Sequence, residues 1–169
     1  MSILKYKNRL LSREEYYSYL KELESLPSDY CSFCQDQADL TLKEFIYWNL
    51  VFCKAPYWKY HLMLVPKRHF KKFTEMSSEE QKEFNKAIKY TLETLQSANL
   101  KYNNGEPVGM YLFFWRMRDR DYDPVANVRK TEHFHFHIVP EKEHMLEPVL
   151  DNEACNIDVE GLKKLFKDN

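Results

Sequence analysis

The chain has 169 residues, with 25 Lys and Arg against 26 Asp and Glu, a formal net charge of −1 and a pI near 6.6. That length suits one domain with a substantial core. The balance of charge excludes the basic field of a protein whose main partner is nucleic acid. No apolar run approaches the roughly 20 residues that span a bilayer, so no membrane partner is expected either.

The first fifteen residues, MSILKYKNRLLSREE, lack the apolar core and cleavage site of a signal peptide. With four unevenly spaced cysteines, this points to a reducing cytoplasm. Residues 12–25 open on a capping box from Ser12 to Glu15 and place Tyr16, Tyr19, Leu20 and Leu23 on one helical stripe. Pro27 stops that helix ahead of Cys31-Ser32-Phe33-Cys34. Residues 45–53 read as a strand, with residues 61–66 as the hairpin partner. A second helix is expected over residues 78–97, capped by Ser77 and Glu80, with Phe84, Ala87, Ile88, Leu92 and Leu95 as its apolar face. Asn103-Asn104-Gly105 marks a turn, and residues 109–118 form a long strand. A charged loop over 119–132 leads into HFHFHIVP, residues 133–140, as a further strand. Asp158 caps a last short helix ending near Lys167. Strands that can pair through short turns favour an α+β domain with a mainly antiparallel sheet.

Half of the six histidines lie in that one strand. Strand side chains alternate, so His133, His135 and His137 share a face while Phe134, Phe136 and Ile138 enter a core. A solvent-facing strand explains one such histidine, but three in strict alternation repel when protonated and are mediocre strand formers. Metal ligation and nucleophilic attack by imidazole on phosphorus remain. Cys31 and Cys34 offer two thiolates at the spacing of one zinc corner. With His69 and one histidine of the row they complete a closed, structural Cys2His2 set, which leaves two histidines for chemistry. His61 and His144 suggest surface or local hydrogen-bonding roles, and Cys53 and Cys155 small buried apolar ones. The chain has only 3 Gly, too few for a phosphate-cradling loop, so side chains must grip any phosphate. Arg116 and Arg118, on one strand face, are candidates. Lys67, Arg68, Lys71 and Lys72 read as a solvated basic run.

The segment His133-Phe134-His135-Phe136-His137-Ile138-Val139 resembles the signature of the histidine-triad (HIT) superfamily. HLMLVPKRHF, residues 61–70, resembles the strand ahead of that family's central helix, and CSFC resembles the zinc-binding pair of bacterial members. The resemblance covers about residues 31–140. It implies a HIT-like domain over residues 29–169, with residues 1–28 as an N-terminal helical extension, and a homodimer. It further implies a structural Zn2+ on Cys31, Cys34, His69 and His133, with His135 as nucleophile toward the α-phosphorus of a nucleotide. The carbonyl of His133 would orient His135, and His137 would hydrogen-bond the phosphoryl group or protonate the leaving group. Expected substrates are nucleotides or nucleoside phosphate esters and phosphoramidates, hydrolysed or transferred. Lys130 and Thr131 stand where members carry a small polar pair on phosphate, and a ribose-gripping acid is replaced near Cys53. The stretch from Ala55 to Glu80 is similar to the galactose-1-phosphate uridylyltransferase branch, where one copy of the fold uses its histidine strand to bind metal. Two alternatives stay open: a metal-dependent hydrolase with the histidine row as ligands, and a non-catalytic module that binds nucleotide or partner.

Overall fold

A computed structural model describes residues 3–7, 9–27, 29–35, 40–101, 105, 107–108, 111–115, 133–140 and 157–168. Five strands form one antiparallel sheet: β1 (Thr41–Glu44), β2 (Trp48–Phe52), β3 (Leu62–Pro66), β4 (Tyr111–Trp115) and β5 (Phe136–Pro140), in spatial order β1-β2-β3-β5-β4. Helices α1 (Arg13–Glu24), α2 (Ser32–Gln35), α3 (Ser78–Ser97) and α4 (Val159–Asp168) complete the mixed architecture. The α+β reading with an antiparallel sheet is what the molecule shows.

Strands β2 and β3 are apolar on both faces because both are covered. Trp48, Leu50, Phe52, Leu62, Leu64, Phe136 and Ile138 belong to the main core, which takes in Phe84, Ala87 and Leu95 of α3 and Leu162 and Phe166 of α4. Trp48 donates its indole N–H to the Glu80 carbonyl (2.9 Å), and the Tyr90 hydroxyl donates to the Phe166 carbonyl (2.8 Å), so each buried polar tip is satisfied. Val51, Cys53, Met63 and Val65 make a smaller cluster on the opposite face, with Phe33 against it. A third cluster joins Tyr6 and Leu11 to Tyr19, Leu20 and Leu23 of α1.

Both expected capping boxes are present, Ser12 with Glu15 and Ser77 with Glu80. Glu80 does more than cap α3. Its carboxylate also takes two hydrogen bonds from Arg68 (2.9 and 2.8 Å), which, with the cap, hold its pKa below the usual carboxylate range. Arg68 is therefore an anchor within the basic run, which is exposed as expected. The expected strand over 45–53 begins only at Trp48. Residues 45–47 turn instead, because the Glu83 carboxylate of α3 accepts the backbone N–H groups of Ile46 and Tyr47. Strand β1 precedes that turn and went unforeseen: its hydrophobic alternation is only Leu42 between Thr41 and Lys43.

The histidine segment also differs from the expected continuous strand. Only His137 lies within β5, and His133 and His135 precede it. There the backbone is engaged elsewhere: Phe134 donates its N–H to the Phe70 carbonyl (2.7 Å), and the His133 carbonyl accepts from His135 Nδ1. Phe134, Phe136 and Ile138 do enter the core. Among the described residues, no helix is long and apolar enough to cross a membrane.

Candidate active site and metal centre

Cys31 sits just ahead of α2, and Cys34 follows within it. A backbone bond from Cys34 N–H to the Cys31 carbonyl (3.1 Å) closes the turn that brings their sulfurs together. His69 lies beyond the end of β3, and His133 on the approach to β5. One donor atom from each of Cys31, Cys34, His69 and His133 lies within 4.8 Å of the others. The His133 Nδ1 atom is 3.4 Å from both sulfurs, and His69 Nδ1 is 3.4 Å from Cys34 Sγ. Bonds of about 2.3 Å to sulfur and 2.05 Å to nitrogen at a tetrahedral angle require about 3.6 Å between such atoms. The four donors therefore fit a tetrahedral zinc with little movement.

Proton placement agrees. His133 donates Nε2–H to the Pro66 carbonyl (2.9 Å), which leaves its Nδ1 lone pair facing the sulfurs. Burial, with His69 and His135 nearby, lowers the His133 pKa to about 4, so the ring is neutral near pH 7. With no cation between the sulfurs, burial and then Cys31 push the Cys34 thiol up to about 11. A bound cation reverses that by stabilising thiolate.

His135 is half-buried, beside Phe33 with ring centroids 4.8 Å apart. Its Nδ1 is 2.9 Å from the His133 carbonyl oxygen. A carbonyl can only accept, so the proton is on Nδ1, and in the neutral ring the lone pair is on Nε2. The His137 ring centroid lies 4.8 Å away, at 68° to the first.

His137 is buried and hydrogen-bonded to His61, for which a surface or local hydrogen-bonding role is expected from sequence. His61 is 1% exposed, which removes the surface reading. The Tyr57 backbone N–H donates to His61 Nδ1 (3.1 Å), so neutral His61 carries its proton on Nε2. That N–H donates to His137 Nδ1 (2.8 Å), so neutral His137 in turn carries its proton on Nε2. One backbone amide thus orders the protons of two rings. The signal was parity: Met63 pairs with His137, and His61, two residues back, faces the same side as a diagonal neighbour.

Cys53, His61 and His137 also bring one donor atom each within 4.8 Å. The hydrogen bonds oppose a cation there. A metal on His61 Nε2 needs the ring proton on Nδ1, where Tyr57 already donates. Cys53 is buried, as expected, and its thiol points to the Ala55 carbonyl (3.4 Å). Lys130, Thr131, Arg116, Arg118, His144 and Cys155 lie outside the described residues.

No protein-family model matches the chain. It is 31% identical over 114 residues to an uncharacterized HIT-like protein of Methanocaldococcus jannaschii, covering 64% of this chain and 74% of that protein. Among solved structures, a Zn-bound histidine triad family protein of Mycobacterium smegmatis superposes with a TM-score of 0.54 at 16% identity, over 84% of this chain and 94% of that one. A diadenosine triphosphate hydrolase of Plasmodium falciparum gives 0.54 at 16% identity, over 92% and 98%. A GalT-like protein of Arabidopsis thaliana gives 0.58 at 15% identity, over 92% of this chain and 50% of that one. At these identities the three structures speak to the fold.

Proposed function

Because this chain belongs to the HIT-like, or histidine-triad, family, we propose that it cleaves nucleotides at the α-phosphate through a covalent nucleotidyl-histidine. The observation that carries this reading is the bond from His135 Nδ1–H to the His133 carbonyl, which puts a nucleophilic lone pair on Nε2 of a neutral, half-buried imidazole.

The His135 Nε2 pair forms a bond to the α-phosphorus as the bond to the leaving group breaks, its electrons departing with that group. The positive charge gained by His135 is met by the carbonyl dipole on Nδ1–H. In its neutral form His137 carries its proton on Nε2, and in this reading it serves as a hydrogen-bond donor to a phosphoryl oxygen rather than as a strong acid. Water then attacks phosphorus, the P–N bond returns its pair to His135 Nε2, and the proton of water passes to solvent. The leaving group takes a proton from solvent, so that overall the nucleotide and water give a nucleoside monophosphate and the protonated leaving group.

Cys31, Cys34, His69 and His133 hold a structural zinc in this reading. When bound, the ion fixes the backbone at His133 whose carbonyl orients the nucleophile. The proton order at His61 and His137 speaks against a catalytic cation on the histidine row.

The test incubates the protein with a dinucleoside polyphosphate and a nucleoside phosphoramidate, beside His135→Asn. Turnover by wild type alone, with a nucleotide adduct on the peptide that carries His135, is the expected result. Equal turnover by the two proteins removes His135 from the role.

A further inference from the structure

Residues ahead of the sheet reach the histidines through the loop between β2 and β3. Leu11 donates its N–H to the Lys54 carbonyl (2.7 Å), and Arg13, the first residue of α1, donates from Nη2 to the Ala55 carbonyl (3.0 Å). The Arg13 guanidinium carbon also lies 4.3 Å from the centroid of the Tyr57 ring. Tyr57 stacks on the His61 imidazole, with centroids 5.2 Å apart and planes within 18°. Its amide is the same one that fixes the His61 proton.

We propose that Arg13 is a positioning residue for His137, acting through Tyr57 and His61, so that the N-terminal segment is a working part of the site. This rests on the reading of His137 as a phosphoryl hydrogen-bond donor. The Tyr57 amide must stay in line with His61 Nδ1 to hold that proton order. Arg13 restrains the loop on both sides of Pro56, at the Ala55 carbonyl and at the Tyr57 ring. If the loop shifts, His61 can take its proton on Nδ1 and turn a bare Nε2 toward His137. His137 must then protonate Nδ1, which leaves its own Nε2 with a lone pair. That pair repels a phosphoryl oxygen where the N–H would have attracted it. A single lost amide bond thus frees both rings to invert.

Arg13→Met keeps much of the side-chain stem and removes the guanidinium, while Arg13→Lys keeps a cation. Long-range 1H–15N spectra of the imidazoles read the tautomers directly, with or without turnover. The expected result for Arg13→Met is a shift of His61 and His137 toward Nδ1–H forms and a kcat about tenfold lower at little-changed KM. Arg13→Lys restores part of both. Unchanged tautomers overturn the proposal, even if kcat and thermal midpoint fall together, because that pattern marks general loosening. A wild type that turns over no nucleotide, yet whose tautomers shift on Arg13→Met, removes the proposed reaction and upholds the positioning role.

Discussion

Two clusters in this molecule use the same donor types at the same spread, and the hydrogen bonds behind them give them opposite proton orders. Around Cys31, Cys34, His69 and His133, a carbonyl accepts from the far side of His133, so its lone pair points inward. Around Cys53, His61 and His137, an amide donates to the far side of His61, so a proton points inward. The first cluster is ready for a cation and the second is filled by a shared proton. Residue types at metal-ligand spacing are thus insufficient to define a metal site: the group one bond further out decides.

The largest break in that contrast is expected from Cys31→Ala. It should abolish metal retention and lower stability by at least about 3 kcal/mol, given what structural zinc contributes to small folds. Metal per chain and urea unfolding read the two effects. His61→Asn, in the other cluster, should leave metal content alone and lower kcat by about 10- to 100-fold, through the lost proton order at His137. Loss of metal in that variant would merge the two clusters and undo the distinction.

Acid and base separate the states of the first cluster. In chelated protein, His133 has a folded pKa depressed to about 4, against an ordinary value of about 6.5. Its stabilising contribution is therefore present above about pH 6.5 and lost as pH falls toward 4, because the unfolded chain takes up the proton first. Cys34 has a folded pKa raised to about 11, so its contribution is present below its ordinary value and lost as pH rises toward 11. Urea midpoints of the chelated protein should thus peak near neutral pH and fall on both sides. Zinc should remove the alkaline fall by holding thiolate. The smallest expected effect belongs to Cys53→Ala, at about 1 kcal/mol and no change in metal content, the cost of trimming a small buried side chain. A drop in metal content there would be fatal to the proton assignment.

What was legible in the sequence was what depends on nearby residues. The Ser12 and Ser77 capping boxes mark helix starts through groups three residues apart, and the Cys31–Cys34 spacing brings two sulfurs together in the same local way. What was missed depends on distant partners. Glu83 turns the chain at residues 45–47 from 36 positions away, and no local pattern records that. His61 looked unremarkable because its partner is 76 residues further on, and Tyr57 contributes a backbone amide, which every residue but proline owns. Strand β5 fell short for a related reason: alternation reports which side chains share a face, but not that the Phe134 N–H will bond to Phe70, 64 residues earlier.

Tyr60 adopts a left-handed backbone, with φ of +64°, immediately before His61. A tyrosine there costs about 1 kcal/mol relative to a residue without a β-carbon. Glycine would relieve that strain while giving the unfolded chain more freedom, and it would also slacken the entry to the imidazole that sets its neighbour's tautomer. The two stability effects offset each other, so selection for turnover should act on this position more strongly than selection for heat resistance.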